Sequence, residues 1–283
     1  MILQKHTSIG GLSIAVYENS IESEQVILFL HGNSLGAFTF FKQLKDPLLQ
    51  KYRCITFDFP GHGDSASSAN PTNDYSMPGM IKIIEEVIKS LNLSTLILAG
   101  HSFGGHLLLE AMAGELQEKI KGLIIFGSPP MTTPPTFNEM FFPLPEAALI
   151  FKETLDDSEA ASLASVFIKK TDPQIHEIKQ SIKNTDPLFR KYLGESIMTG
   201  NTMNEMAILS NIKVPVAIFH GRDDQIVNPV YFEKLNFDNL WRNKILMIAN
   251  AGHCVQMENA KVFNHSLSEF CEFIFSDRPL LSL

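Results

Sequence analysis

The chain has 283 residues, of which 45% are hydrophobic and 19% are charged, a composition that excludes the disordered and fibrous classes. The formal net charge is -8 at pH 7, and no cluster of Lys and Arg is present, so we expect no nucleic-acid partner. No apolar run approaches the roughly 20 residues needed to span a bilayer. The N-terminus lacks a signal-peptide pattern, and the three cysteines form no CxxC pair. These features predict a cytoplasmic protein.

Apolar runs alternate with helical patterns along most of the chain. Residues 7–17 predict a β-hairpin around Gly10 and Gly11. Four further segments have the continuous apolar character of strands that are buried on both faces: 25–30, 53–57, 95–99 and 122–126. Two later segments, 214–219 and 244–248, are also predicted to be strands. Helical patterns lie at 79–91, 104–116, 229–235 and 260–275. This alternation requires crossover connections and predicts an α/β fold with a mostly parallel sheet flanked by helices.

One long segment interrupts the alternation. It opens with the proline-dense run PPMTTPP at 129–135, which cannot continue a helix or a central strand. Helical patterns follow at 158–170 and 174–183. We therefore predict an inserted helical lid, here called the lid segment (129–211), between two parts of one core at 1–128 and 212–283.

The motif GHSFG at 100–104 stands between a predicted strand and a predicted helix, which is the context that a G-x-S-x-G nucleophile turn requires. Small flanking residues permit the strained backbone of such a turn. The serine hydroxyl is then exposed at the amino end of the helix, where the helix dipole favours negative charge. Ser102 is the predicted nucleophile.

Two loops near the end of the chain also follow predicted strands. His253 ends the run NAGH at 250–253, and Asp223 and Asp224 follow the strand at 214–219. Since the carboxyl ends of parallel strands share one edge of the sheet, these side chains can meet Ser102. We expect His253 to act as general base, and one of the two aspartates to orient its ring.

The acyl transfer that such residues perform also needs hydrogen-bond donors for the oxyanion. The loop HGNS at 31–34 follows an apolar strand and leaves backbone N–H groups beside the nucleophile turn. We expect the backbone N–H groups of Asn33 and Phe103 to form the oxyanion hole. His31 and His62 are interpreted as structural residues.

The nine histidines do not cluster with cysteines or carboxylates, and no HExxH motif is present, so we expect no metal and no cofactor. Phe38, Phe137, Met140 and Phe141 are candidates to line an apolar acyl pocket. The alternative is that they only pack the lid segment on the core. Cys254 follows His253 and is interpreted as unreactive, although a reactive thiol there is conceivable.

Together these motifs resemble those of the α/β-hydrolase superfamily, and their order and spacing agree with it: HGNS at 31–34, DFPGHGDS at 58–65, GHSFGG at 100–105 and AGH at 251–253. The resemblance implies the α/β-hydrolase fold. It also favours Asp224 over Asp223 as the acid, because that superfamily places its acid three residues after the glycine found here as Gly221.

Within the superfamily, the chain is most similar to the metal-free, quorum-quenching N-acyl-homoserine lactonases. Further runs carry this likeness: YSMPG at 75–79, GGH at 104–106, GSPP at 127–130, GRDD at 221–224 and NLW at 239–241. That family has a glutamate at the position of Asp224. The lid segment resembles that family less, and it contains no tyrosine between Met131 and Lys191. The likeness therefore bears more on the mechanism than on the substrate.

We therefore expect a metal-independent serine hydrolase that cleaves a carboxylic ester or a lactone through an acyl-enzyme. The expected partner is a small-molecule substrate with an apolar acyl chain, such as an N-acyl-homoserine lactone. A general carboxylesterase and a carbon–carbon bond hydrolase of the same fold are alternatives. A non-catalytic binding protein is disfavoured, because such proteins usually lose a member of the triad and none is missing here.

Overall fold

A computed structural model describes residues 1–235 and 237–276 of the chain. The predicted core range 212–283 includes residues 236 and 277–283, which lie outside the described residues. Within the described part, eight strands form one sheet in the order β1-β2-β4-β3-β5-β6-β7-β8. The strands are β1 (Ile2–Ile9), β2 (Leu12–Asn19), β3 (Val26–Leu30), β4 (Arg53–Phe57), β5 (Leu96–His101), β6 (Ile120–Phe126), β7 (Val216–Gly221) and β8 (Leu246–Ile248).

The sheet has the predicted mostly parallel arrangement, which confirms the expected fold class. β1 and β2 form an antiparallel hairpin, and β2 pairs with β4 in the antiparallel sense. The strands from β4 across to β8 are all parallel. In the central register, Leu28 of β3 lies between Ile55 and Leu98. Each connection between parallel strands therefore carries the chain back across the sheet, so that β3 to β8 all end at the same edge.

Both faces of the sheet are covered, which explains why its strands are continuously apolar. Successive side chains of a strand point to opposite faces. Thus Leu28, Leu98 and Leu123 belong to the apolar core on one face, whereas Ile27, Ile97 and Ile124 belong to the core on the other face. Loops follow the strands at the edge of the sheet formed by their carboxyl ends.

The described helices cover both faces of the sheet and fill the long insertion. They are α1 (Phe41–Lys45), α2 (Pro71–Asp74), α3 (Met77–Ser90), α4 (Phe103–Ala111), α5 (Phe137–Met140), α6 (Asp157–Phe167), α7 (Ile175–Asn184), α8 (Pro187–Met198), α9 (Glu205–Asn211), α10 (Pro229–Phe232), α11 (Val255–Glu258) and α12 (Ala260–Phe275). Short 3-10 helices lie at Ala37–Phe40, Pro47–Leu49, Glu115–Glu118, Pro145–Phe151 and Trp241–Asn243.

Most predicted elements differ by a few residues from the observed bounds, and three of these differences are the clearest. The helix predicted at 104–116 ends at Ala111, because Gly114 takes an extended conformation and a separate 3-10 helix follows it. The helix predicted at 229–235 ends already at Phe232. The strand predicted at 214–219 runs from Val216 to Gly221, since Pro215 has no N–H to donate to the neighbouring strand.

The lid segment follows β6 and precedes β7, and it contains α5 to α9. Arg190 of α8 is 2% exposed and joins several parts of this segment. Its guanidinium donates to the carbonyl oxygens of Lys152, Glu153 and Ile182, and to Ser34 Oγ at 3.3 Å in the loop after β3. One buried side chain therefore connects the lid segment with the core.

Among the residues that the structure describes, no helix has both the length and the apolar character needed to cross a membrane.

Candidate active site

Ser102 occupies the sharp turn between β5 and α4. Its backbone has φ 50° and ψ -119°, a strained conformation for a residue with a side chain. Backbone hydrogen bonds hold the turn on both sides of Ser102. The Ser102 N–H donates to the Phe126 carbonyl at 2.8 Å, and the Ser102 carbonyl accepts from the Gly105 N–H at 2.9 Å. This is the strand–turn–helix geometry predicted from the GHSFG motif.

The glycines on either side of Ser102 are required by close backbone approaches. A Cβ at Gly100 would lie 2.6 Å from the Cα of Gly105, and a Cβ at Gly104 would lie 2.5 Å from the carbonyl oxygen of Leu30. Backbone atoms cannot yield as a flexible side chain can. The spacing of small residues in this motif is thus a packing requirement of the turn.

His253 and Asp224 meet at the carboxyl edge of the sheet, from the loops that follow β8 and β7. The distance from His253 Nδ1 to Asp224 Oδ2 is 3.0 Å. The other carboxylate oxygen of Asp224 accepts from the backbone N–H groups of Ile226 at 2.8 Å and Val227 at 3.1 Å. Both side chains are buried. These contacts fix the carboxylate, and the carboxylate fixes the orientation of the imidazole.

The environment keeps the Asp224 carboxyl ionised. Burial by itself would raise the pKa of Asp224, but the nearby His253, the more distant His220 and the Ile226 N–H lower that pKa below its ordinary value. The neighbouring Asp223 is exposed and forms a salt bridge with Lys169 of the lid segment at 2.7 Å. Of the two candidate aspartates, Asp224 is therefore the one in contact with His253.

His101 is a further residue of this site that sequence reasoning did not single out. It is fully buried, and its Nε2–H donates to the backbone carbonyl of His253 at 2.9 Å. Burial and the neighbouring His253 lower the pKa of His101 to about 3, so it stays neutral. His101 occupies a variable position of the G-x-S-x-G motif, so the motif gave no signal for this contact.

Ser102 and His253 both line one cavity of about 820 Å³. Asn33 and Phe103 also contribute to its wall, together with Phe137 and Phe141. Most of the remaining wall is apolar and comes from the lid segment, and it includes Phe142, Leu144, Ile150, Phe151, Val166, Phe167, Leu193, Ile197 and Met198. The cavity is therefore largely apolar, and Ser102 and His253 are among its few polar residues.

Two residues expected in the acyl pocket lie elsewhere, and that expectation is corrected. Phe38 lines a separate surface groove beside Lys42 and Lys45, because the 3-10 helix at Ala37–Phe40 turns it outward. Met140 is fully buried in a small cluster with Met131 and Tyr231. Met140 is the last residue of α5, and the backbone becomes extended at the following Phe141, whose side chain lines the cavity.

Asn33 and Phe103 lie beside the nucleophile turn, as their positions in the sequence predicted. Phe103 is the first residue of α4, and an N–H at that position has no acceptor within its own helix. The side chain of Asn33 accepts from Ser34 Oγ at 2.7 Å and donates to the carbonyl of Ile150 in the lid segment at 3.2 Å. The loop after β3 is thereby attached to the lid segment.

The other residues singled out from the sequence, His31, His62 and Cys254, are buried in the interior of the protein. His31 is fully buried, and its Nε2 accepts from the Phe59 N–H at 3.0 Å. His62 is also buried, and its ring packs edge-on against Phe189. Cys254 is fully buried, and burial raises the pKa of its thiol well above the ordinary value. In the described part of the chain, no group of three or more His, Cys, Asp or Glu residues is arranged to hold a metal ion.

The chain is similar to several known proteins over most of its length. The chain is 26% identical over 264 residues to the AB hydrolase superfamily protein YisY of Bacillus subtilis, covering 91% of this chain and 95% of that protein. It is 25% identical to a 2-hydroxy-6-oxononadienedioate/2-hydroxy-6-oxononatrienedioate hydrolase of Paraburkholderia phymatum, covering 92% of each chain.

Among solved structures, the chain resembles the N-acyl homoserine lactonase AidH complexed with N-butanoyl homoserine, with a TM-score of 0.91 and 28% identity over 98% of this chain and 99% of that chain. It is equally similar to an AidH variant complexed with N-hexanoyl homoserine lactone, with a TM-score of 0.90 and 28% identity over 96% and 98% of the two chains. The model of the alpha/beta hydrolase family matches residues 27–265. The chain therefore belongs to the alpha/beta hydrolase family of enzymes.

Proposed function

We propose that this enzyme is a serine hydrolase that cleaves carboxylic esters or lactones, with Ser102 as nucleophile, His253 as general base and Asp224 as the residue that orients His253. The observation that carries the proposal is the 3.0 Å contact between His253 Nδ1 and Asp224 Oδ2, beside a cavity that His253 shares with Ser102. A nucleophile, a base and an orienting carboxylate are the groups that acyl transfer needs.

In the first step, His253 accepts the proton of Ser102 as Oγ attacks the substrate carbonyl. Because Nδ1 of His253 donates to Asp224, Nε2 is the nitrogen that takes this proton. The backbone N–H groups of Asn33 and Phe103 stabilise the negative charge that develops on the carbonyl oxygen. Collapse of the tetrahedral intermediate breaks the C–O bond, and His253 protonates the leaving alkoxide.

In the second step, water attacks the acyl-enzyme. His253 removes a proton from the water, and the acid is released as Ser102 regains its hydrogen. With a lactone, the alkoxide stays attached to the acyl group, so the product is a single ring-opened hydroxy acid. Each of these proton transfers uses only side chains of this chain, and we propose a metal-independent reaction.

For the substrate, we propose an N-acyl-homoserine lactone, which would make the enzyme quorum-quenching. Two observations support this choice. The chain is similar to AidH over nearly its full length, and the apolar wall of the cavity can accommodate an aliphatic acyl chain. In this proposal the lid segment (129–211) covers the bound acyl chain, with Phe137 and Phe141 against it.

A second candidate is the hydrolysis of carbon–carbon bonds. The similarity to the Paraburkholderia phymatum hydrolase, at 25% identity over 92% of each chain, favours this alternative. A general carboxylesterase would use the same three residues. These reactions differ in substrate rather than in the residues that perform them, so they are separated by substrate comparison.

The test is a two-part measurement on the purified protein with a chelator present. A fluorophosphonate probe should label the wild type and should not label Ser102→Ala, whereas a non-catalytic binding protein would not be labelled at all. N-acyl-homoserine lactones, p-nitrophenyl esters and vinylogous diketones should then be compared by kcat/KM. Lactone turnover that is no faster than turnover of the other two classes would contradict the lactonase proposal.

A further inference from the structure

His106 is a polar residue in the wall of the cavity that the proposed mechanism does not use. It lies one turn of α4 beyond Ser102, and its backbone N–H donates to the Ser102 carbonyl at 3.2 Å. Four residues of an α-helix correspond to a rise of about 6 Å. The side chain is 12% exposed, and this exposed part lines the cavity.

The ring of His106 is held by Glu205, the first residue of α9. His106 Nδ1 lies 2.9 Å from one carboxylate oxygen of Glu205 and 3.0 Å from the other. Glu205 is completely buried and also accepts from the backbone N–H of Met131 at 2.8 Å. Since Nδ1 donates to Glu205, the opposite edge of the ring, which carries Nε2, is directed away from this carboxylate.

Electrostatics favours the protonated ring. Burial would lower the pKa of His106, but the charge and hydrogen bond of Glu205, with a smaller effect of Glu110, raise that pKa above its ordinary value. In an imidazolium both ring nitrogens carry hydrogen. Nε2 of His106 then remains available as a donor.

A purely structural role would be to join α9 to α4. An ion pair is an inefficient way to do this, because a buried ion pair adds little stability over apolar residues of the same volume. Glu205 alone already binds the Met131 N–H. The histidine is the member of the pair that reaches a cavity whose wall is otherwise mainly apolar.

We propose that His106, oriented by Glu205, determines specificity by donating a hydrogen bond to a carbonyl oxygen in the acyl portion of the substrate. This inference rests on the proposed hydrolysis at Ser102. In an α-amido lactone, the amide oxygen is four bonds from the scissile carbonyl carbon, or about 3–5 Å away by standard bond lengths. That separation suits a donor placed one helical turn from the nucleophile.

The test compares two lactones that differ only in the amide group that carries this oxygen. One is N-hexanoyl homoserine lactone, and the other is a γ-butyrolactone with an alkyl chain of equal length at the same ring carbon. For His106→Leu, we expect the ratio of the two kcat/KM values to shift by about 10- to 100-fold against the amide lactone, because one charge-assisted hydrogen bond is lost. His106→Gln, which keeps a donor, should retain most of the wild-type ratio.

His106→Leu leaves the Glu205 charge buried without its partner, so the double variant with Glu205→Gln is measured in parallel. The amide oxygen that Glu205→Gln introduces can still accept from the Met131 N–H, while the uncompensated charge is removed. The same shift in ratio is expected from the double variant. If His106→Leu and the double variant lower kcat/KM for both lactones by the same factor, the role of His106 is only structural and the inference is wrong.

A third substrate separates this failure from failure of the proposed function. If the wild type hydrolyses p-nitrophenyl butanoate but neither lactone, the serine hydrolase mechanism stands, and both the lactone substrate and the role of His106 are overturned. If the wild type hydrolyses none of the three substrates, the proposed function itself is wrong.

Discussion

Asp224 Oδ2 lies 3.0 Å from His253 Nδ1, whereas the adjacent Asp223 is turned outward to Lys169. Two carboxylates that are neighbours in the chain therefore have entirely different surroundings. One is buried and receives backbone N–H donors, and the other takes part in an exposed ion pair. This contrast provides a matched pair of variants at the site.

Asp224→Asn should lower kcat by about 10³- to 10⁴-fold, because an amide can hold His253 in the wrong tautomer. The pKa of Asp224 lies below its ordinary value, so the carboxylate should remain ionised and this effect should persist throughout the neutral and alkaline range. Steady-state kinetics on an ester substrate measures it. Asp223→Asn is the control and should change kcat less than about twofold, as expected for an exposed ion pair. Equal losses in the two variants would contradict the assignment of Asp224.

Arg190→Met should destabilise the protein by about 3–5 kcal/mol. The guanidinium is buried and donates to three backbone carbonyls and to Ser34 Oγ. Its loss removes the donor from all four acceptors, and the contacts with the Ile182 carbonyl and Ser34 Oγ are buried. Thermal unfolding should report a decrease in Tm of roughly 10 °C. The neighbouring Lys191→Met, which removes an exposed ion pair with Glu153, should leave Tm almost unchanged.

Glu110→Gln should stabilise the protein at neutral pH. Burial, and to a smaller extent Glu205, raise the pKa of Glu110 from its ordinary 4.5 to about 7 in the folded protein. The unfolded chain releases this proton near pH 4.5, whereas the folded chain keeps it until about pH 7. The contribution of the protonated Glu110 to the free energy of unfolding is therefore fully present below the unfolded pKa. It is lost as the pH rises through the folded pKa.

The free energy of unfolding should accordingly be higher in Glu110→Gln by about 3 kcal/mol above pH 7, and this gain should vanish at about pH 4. Urea unfolding at the two pH values measures it. The Met203 N–H, which Glu110 binds at 3.0 Å, can still donate to the amide oxygen of the variant. The exposed Glu118→Gln serves as the control. A gain of the same size at both pH values would show that proton release by Glu110 is not its cause.

Cys254 should be inert in the folded enzyme even though it adjoins His253. All three cysteines are buried, and burial raises the pKa of the Cys254 thiol well above its ordinary value, so the nucleophilic thiolate is scarce. A thiol-reactive chromogenic reagent should titrate none of the three thiols under native conditions and all three in denaturant. Rapid native labelling at Cys254 with loss of activity would contradict this expectation.

Much of the fold could be predicted from local patterns in the chain. Strands buried on both faces must be continuously apolar, and this property identified β3, β4, β5 and β6 from their residues. The turn at Ser102 was also predictable, because the GHSFG motif lies within one strand–turn–helix unit and Gly100 is crowded by Gly104 and Gly105 of that same unit. The crowding at Gly104 comes instead from Leu30 and His31, at the end of β3. The last helix, α12, was predicted with its observed bounds.

Other features depend on contacts between segments that are far apart in sequence, and no local pattern encodes them. Sequence spacing could not place Met140 in a buried cluster while the adjacent Phe141 faces the cavity. The pair formed by His106 and Glu205 joins residues that are 99 positions apart. Hydrophobic periodicity records which residues are buried, but it does not record which distant side chain each will meet. Only the tertiary structure determined these contacts, because they depend on how the lid segment packs across the edge of the sheet.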